Sequence, residues 1–278
     1  MSRSGRWNGV VVAGLGLGGL AVALSSRHRS APLWPVWAVL AVSLSGAAGL
    51  VAVYGLASWH GLSRTRPLPW RATILPTAGI VAGVPLTLVA GELLAASPGS
   101  GWRGDVLVML TVAGGACAGL AMFGLRAVVL ALPVATGDVA ALEDAVVEAI
   151  ALRRLLQRLA SALGWLVALS TLALGAGISL SDNAPRELVV VFGGAGSAMV
   201  ATFYAPAAVA MRVHGERLVA AIFAERTPDD ATELVDRVEK RMKLESLIGV
   251  DRTLFGDLQA AIPVLGPLVV AAAVFLPK

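Results

Sequence analysis

The sequence predicts an all-α protein: a polytopic bundle of about seven transmembrane helices, with long helices that extend into a cytoplasmic helical domain. Three observations predict this fold. The chain of 278 residues is 57% hydrophobic and only 14% charged, whereas soluble domains carry about 25% charged residues. Apolar runs of spanning length recur along the chain, and Lys and Arg gather in the connections on one side. Too few polar residues are present to cover a soluble core, so lipid is the expected solvent.

Seven apolar segments have, or nearly have, the roughly 20 residues that a helix needs to cross a bilayer core about 30 Å thick. Each must be helical, because hydrocarbon offers no partner to unpaired backbone N–H and C=O groups. The predicted spans are 9–26, 31–58, 72–96, 106–125, 159–180, 188–211 and 258–276.

The first and last segments each have an alternative. The first resembles a signal peptide with a small-residue cleavage sequence at 21–23, but we expect a retained span. The last is short and is interrupted by Pro263, Gly266 and Pro267. A re-entrant or interfacial segment is therefore the alternative to a seventh crossing.

The basic residues orient the bundle. With a cytoplasmic N-terminus and seven crossings, 17 of the 22 Lys and Arg residues lie on the inner side, as the positive-inside rule requires. We therefore expect a multi-pass protein of the cell (plasma) membrane whose partner is the lipid bilayer, with no nucleic acid bound despite the net charge of +4. The outer basic residues are Arg27, Arg29, Arg103, Arg186 and Lys278.

This topology divides the chain into a four-span membrane region (1–135), a cytoplasmic helix leading into the fifth span (136–160), the fifth and sixth spans (159–211), a cytoplasmic amphipathic segment (212–257) and the final segment (258–278). Thr136 or Asp138 can cap the first cytoplasmic helix. Nothing breaks this helix before Gly164, so it is free to continue into the fifth span.

The second cytoplasmic segment contains a predicted helix that starts at Thr227-Pro228, where a capping hydroxyl precedes a proline. Its acids precede its bases at i, i+4, the favoured order, in the pairs Glu233–Arg237, Asp236–Lys240 and Glu239–Lys243. Behind them runs an apolar stripe that predicts a docking face. We expect it to bind the first cytoplasmic helix or a copy of that helix in a neighbouring subunit. The docking residues are Leu234, Val235, Val238 and Met242.

Small residues four apart let membrane helices approach closely where no hydrophobic effect drives their association. We expect most of these positions to pack helices within one bundle, with a subunit interface as the alternative. They are Gly14/Gly18, Gly79/Gly83, Gly115/Gly119 and Gly193/Ser197. The glycine run at 14–19 lacks the strand that precedes a dinucleotide-binding loop, so we expect no cofactor there.

Candidates for a pathway through the membrane are few. Glu92 is the one acid clearly inside a predicted span, Arg126 lies at an inner boundary, and Pro206 interrupts the sixth span. Buried charges often mark ion pathways, but both charged residues also fit snorkelling at an interface. The three histidines are scattered, and the motifs of metalloproteases and serine hydrolases are missing. We therefore expect no catalytic residue, no metal and no cofactor.

The sequence favours a non-enzymatic membrane protein that is homo-oligomeric. Its cytoplasmic helices would dock a cytoplasmic protein or sense a signal and couple that event to the bundle, with a pore as a further option. The alternative is a transporter or channel for a small solute or ion, with its path near Glu92 and Pro206.

Overall fold

The structure is a computed structural model of the chain, and the all-α prediction is confirmed in it. It describes residues 3–26, 30–94, 102–133, 139–178, 180, 187–223 and 231–250. Within these ranges the chain forms seven helices and no strand. The helices are α1 (Arg3–Leu24), α2 (Trp34–Thr65), α3 (Trp70–Leu94), α4 (Trp102–Leu130), α5 (Val139–Ile178), α6 (Glu187–Phe223) and α7 (Ala231–Ile248).

Four helices of the described residues are long and apolar enough to cross a membrane. They overlap the second, fourth, fifth and sixth predicted spans. Helices α1 and α3 occupy the first and third predicted segments, and their crossing stays a prediction. The seventh segment, 258–276, lies outside the described residues. The four span-capable stretches are Trp34–Arg64, Arg103–Leu130, Ala140–Ile178 and Val189–Phe223.

Two helices are much longer than a bilayer core is thick. Helix α5 has 40 residues and α6 has 37, which is about 60 and 55 Å at 1.5 Å per residue. Helix α5 runs without a break through the predicted junction at 159, and α6 continues past the predicted span end at 211. Pro206 lies inside α6 without ending it.

Proline also sets a helix end. Helix α2 starts with a proline in its first turn, and its C-cap residue Arg66 has φ −148° and ψ 144°. This extended conformation follows from Pro67, whose ring disfavours the helical region for the residue before it. The chain therefore leaves α2 in an extended link before α3 begins.

Helix α4 occupies the centre of the bundle. It packs against α2, α3, α5 and α6, while α1 packs against α2. Met122 and Leu125 of α4, Leu163 of α5 and Phe203 of α6 are completely or almost completely buried. The main core therefore lies where α4 meets its neighbours.

The outward surface of the bundle carries many large apolar side chains. Val39 on α2, Leu75 on α3 and Val191 on α6 are each about two-thirds exposed (64%, 65% and 67%). A soluble protein would cover such positions with polar side chains, because water penalises exposed apolar area. This surface fits a hydrocarbon solvent.

Candidate functional site

The C-terminal end of α7 is anchored to the N-terminal part of α5 and the C-terminal part of α6. Ile248 is buried in a small cluster with Ala149 of α5 and with Leu218 and Val219 of α6. Gly215 of α6 permits the close approach, since a Cβ there would lie 2.9 Å from Cγ2 of Ile248. This cluster is separate from the main core.

Two arginines tie α7 to its neighbours through main-chain carbonyls. Arg153 of α5 donates a hydrogen bond to the carbonyl oxygen of Ile248, in the last turn of α7. Arg237 of α7 donates one to the carbonyl oxygen of Phe223, the last residue of α6. Helix-terminal carbonyls lack intrahelical donors and carry partial negative charge, so each guanidinium meets an acceptor of the expected kind.

The N-terminal half of α7 leaves its hydrophobic side uncovered in the described part of the chain. Leu234, Val235, Val238 and Met242 form the α7 apolar face, and they are 49%, 66%, 48% and 62% exposed. These are the residues that the sequence predicts as a docking face. The anchored C-terminal end of α7 holds this face close to the same ends of α5 and α6.

Ion pairs stabilise the polar side of α7. Lys240 lies 2.6 Å from Asp236, and Lys243 lies 2.6 Å from Glu239, as predicted. The hydrogen bond that Lys240 donates to Asp236 raises the pKa of Lys240. Arg237 reaches Phe223, and its pairing with Glu233 stays a prediction. Exposed pairs of this kind contribute little to stability, so they support the helix without fixing its position.

Arg66 and Glu148 form an ion pair between α2 and α5. Arg66, at the C-terminus of α2, lies 3.8 Å from a carboxylate oxygen of Glu148 and donates a hydrogen bond of 3.2 Å to the carbonyl oxygen of Ala131 after α4. His214 of α6 is buried. It lies beyond the predicted span 188–211, and burial lowers its pKa, opposed by the charge of Glu148. Arg66 thus links the end of α2 to α5 and to the residue that follows α4.

The predicted small-residue positions fall into two groups. A Cβ on Gly115 would lie 3.0 Å from Leu163, and one on Gly119 would overlap the ring of Phe203. In contrast, a Cβ on any of four other glycines would meet no atom within 4 Å. These four are Gly14, Gly18, Gly79 and Gly83.

The remaining predicted pair lies on α6, where Gly193 and Ser197 are both buried. The hydroxyl of Ser197 has no hydrogen-bond partner among the described residues. The pair is therefore enclosed in the bundle.

The backbones of α2 and α4 approach closely at glycines that the GxxxG pattern misses. A Cβ on Gly55 of α2 would lie 2.6 Å from the backbone nitrogen of Ala118 on α4, and one on Gly114 would lie 2.7 Å from the carbonyl oxygen of Ala48. Gly114 and Ala118 are four apart on α4. Counting alanine with glycine as a small residue would have found this contact.

The pathway candidates lie on three different helices. Arg126 is partly buried near the C-terminal end of α4, and Pro206 is partly buried in α6. Glu92 falls within α3, and its side chain lies outside the described residues.

In the part of the chain that the structure describes, no three His, Cys, Asp or Glu side chains gather in a way that could hold a metal ion.

No protein family, curated protein or solved structure matches the chain.

Proposed function

We propose that the protein is a non-enzymatic, homo-oligomeric integral membrane protein of the cell membrane. In this assembly the α7 helices of neighbouring copies pair through the α7 apolar face. When a partner docks on these helices, or when they sense a signal, they transmit that event to the membrane bundle. The observation that carries the proposal is the exposure of Val235 and Met242 (66% and 62%) on a helix whose far end is fixed by Arg153.

The spacing along α7 suits pairing with a like helix. Ala231, Val235, Val238 and Met242 follow one another at intervals of four, three and four residues. This is the alternation of a and d positions in a two-stranded coiled coil, whose seam is the narrow apolar stripe of each helix. A second copy of the chain presents the same seam. We therefore assign the α7 apolar face to binding α7 of that second copy.

The membrane also favours self-association. Every copy that shares the proposed orientation holds α7 at the same height and in the same direction, because Ile248 is anchored to α5 and α6. Confinement to a plane then raises the effective concentration of one α7 for another. Pairing needs less intrinsic affinity than it would between free helices.

Coupling to the bundle follows from the long helices. Helices α5 and α6 each continue from an apolar stretch of spanning length into the part that contacts α7. A displacement of α7 at Ile248 would therefore displace α5 and α6, which also contribute Leu163 and Phe203 to the main core. Docking of a cytoplasmic protein on paired α7 helices would act on the bundle by this route.

The full-length protein in mild detergent and in nanodiscs tests the proposal. Native mass spectrometry should give an oligomer for the wild type and a monomer for Val235→Asn with Val238→Asn, since asparagine breaks the apolar seam. The matched control places asparagine at Lys240 and Lys243, which are exposed on the polar side. It should remain oligomeric.

Two results would overturn the proposal: a wild-type protein that is monomeric in both environments, or a seam variant that keeps the wild-type mass. A solute flux in proteoliposomes that is lost in Glu92→Gln would establish the transport alternative instead.

A further inference from the structure

A cavity of about 260 Å³ lies between α3, α4, α5 and α6. All four helices contribute to its lining. The lining residues include Ile80, Gly83, Thr111, Val167, Phe192 and Met199.

The wall of this cavity is apolar. Among the described residues it contains no charged side chain, and its polar side chains are Thr111 and Ser170. The hydroxyl of Thr111 already donates its proton to the carbonyl oxygen of Leu107 at 2.8 Å. Ordered water needs two to four polar partners, and an apolar cavity of about 150 Å³ stays dry and accepts benzene. Hydrocarbon therefore suits this larger cavity better than water.

The cavity lies at the depth of lipid tails. Its α4 residues Val108 and Val112 follow Arg103, at the outer end of the span-capable stretch, by a rise of about 8 to 14 Å. Half of a bilayer core is about 15 Å. An acyl chain of the outer leaflet reaches this level.

The packing of α3 leaves a way in from the bilayer. Helix α3 packs chiefly against α4, whereas α6 packs against α4, α5 and α7. Ile80 and Gly83 thus face Phe192 and Met199 across the cavity without close helix packing between α3 and α6. A Cβ on Gly83 would meet no atom within 4 Å, so a glycine at this position keeps the space open.

From this geometry we infer that the cavity is a binding site for a hydrocarbon chain, the acyl chain of a bilayer phospholipid, which enters between α3 and α6. The apolar wall excludes the headgroup, which stays at the outer interface. The site holds one chain in contact with Val167 and Met199, beside the central helix.

Photolabelling of the full-length protein tests this inference. The protein is placed in phosphatidylcholine nanodiscs that contain a trace of phosphatidylcholine with a diazirine in its acyl chain, and the adducts are mapped by mass spectrometry. Labelling at Met199 should exceed labelling at Met109, which is 42% exposed and follows the cavity-lining residue Val108 on α4, so that both methionines lie at the depth of the cavity. Gly83→Leu should reduce the Met199 adduct several-fold by filling the cavity.

The matched control is Gly79→Leu, one turn earlier on α3, where a Cβ is equally unobstructed and the residue does not line the cavity. It should label as the wild type does. The comparison of Met199 with Met109 needs no variant, so it remains decisive if Gly83→Leu fails to fold.

Equal labelling at Met199 and Met109, or an unchanged Met199 adduct in folded Gly83→Leu, would overturn the site. Displacement of the label by unlabelled oleic acid but not by excess phosphatidylcholine would overturn the assignment to phospholipid and give the cavity to a free fatty acid.

Discussion

The guanidinium of Arg153 donates a hydrogen bond to the carbonyl oxygen of Ile248, 95 residues further along the chain. Gly249 makes room for this contact. It ends α7 with φ +72°, and its N–H and that of Val250 both bond to the carbonyl oxygen of Glu245. A Cβ on Gly249 would overlap the guanidinium. The helix terminus and the arginine therefore fit each other only with glycine in place.

Removing this contact should release α7. In Arg153→Met the carbonyl of Ile248 loses a charged donor, and a hydrogen bond to a charged group contributes about 1.5–3 kcal/mol. Backbone amides of 231–248 should then exchange with deuterium faster, while those of α4 should not change. The exposed neighbour Arg154→Met is the control and should exchange as the wild type does. Equal protection of α7 in both variants would refute the role of Arg153.

A methyl group at Gly119 should destabilise the bundle. The ring of Phe203 occupies the space where the Cβ would go, and it is held edge-on against Phe123 with centroids 5.9 Å apart. Overpacking of this kind lowers the free energy of unfolding by about 1–3 kcal/mol. Unfolding of Gly119→Ala and of the wild type in mixed detergent micelles measures the difference.

The control for this prediction is Gly61→Ala, at a helical glycine where a Cβ meets nothing within 4 Å. It should be neutral or slightly stabilising. Phe203→Leu should partly rescue Gly119→Ala; additive losses in the double variant would argue against a direct clash.

Stability should fall on acidification through His214. Burial lowers its folded-state pKa, Arg217 and Arg66 act in the same direction, and Glu148 opposes them. The unfolded histidine takes up its proton near pH 6.5 and the folded one only at lower pH. The unfolded state thus binds more protons in that window, and the free energy of unfolding decreases as the pH falls below about 6.5.

Thermal unfolding between pH 7.5 and 5.5 measures this effect. His214→Gln should have a flatter profile than the wild type, whereas His60→Gln, at an exposed position of α2, should keep the wild-type slope. A wild-type slope in His214→Gln would show that another group governs the acid sensitivity.

Patterns within one helix predicted much of the fold. Apolar length located the helices, and the acid-first pairs Asp236–Lys240 and Glu239–Lys243 formed as expected. The stripe from Leu234 to Met242 is recognisable because a helix brings every third or fourth residue to one side. Such features depend on spacing along the chain alone.

Contacts between helices were less predictable. A GxxxG pair shows that a surface is smooth but not which helix lies against it, so Gly79 and Gly119 look alike in sequence and differ in their surroundings. The approach of Arg66 to Glu148 joins residues far apart in the chain. Such pairs depend on how the helices are arranged, which periodicity does not encode.

The central place of α4 limits how the bundle can rearrange. A shift of α4 would disturb four interfaces at once, including the approach of Gly114 to Ala48. Helices α1 and α3 each pack chiefly against one neighbour and lie at the edge of the bundle, whereas α4 lies at its centre. Displacing α1 or α3 therefore breaks fewer helix contacts than displacing α4 does. It leaves the packing of α4 against α2, α5 and α6 in place.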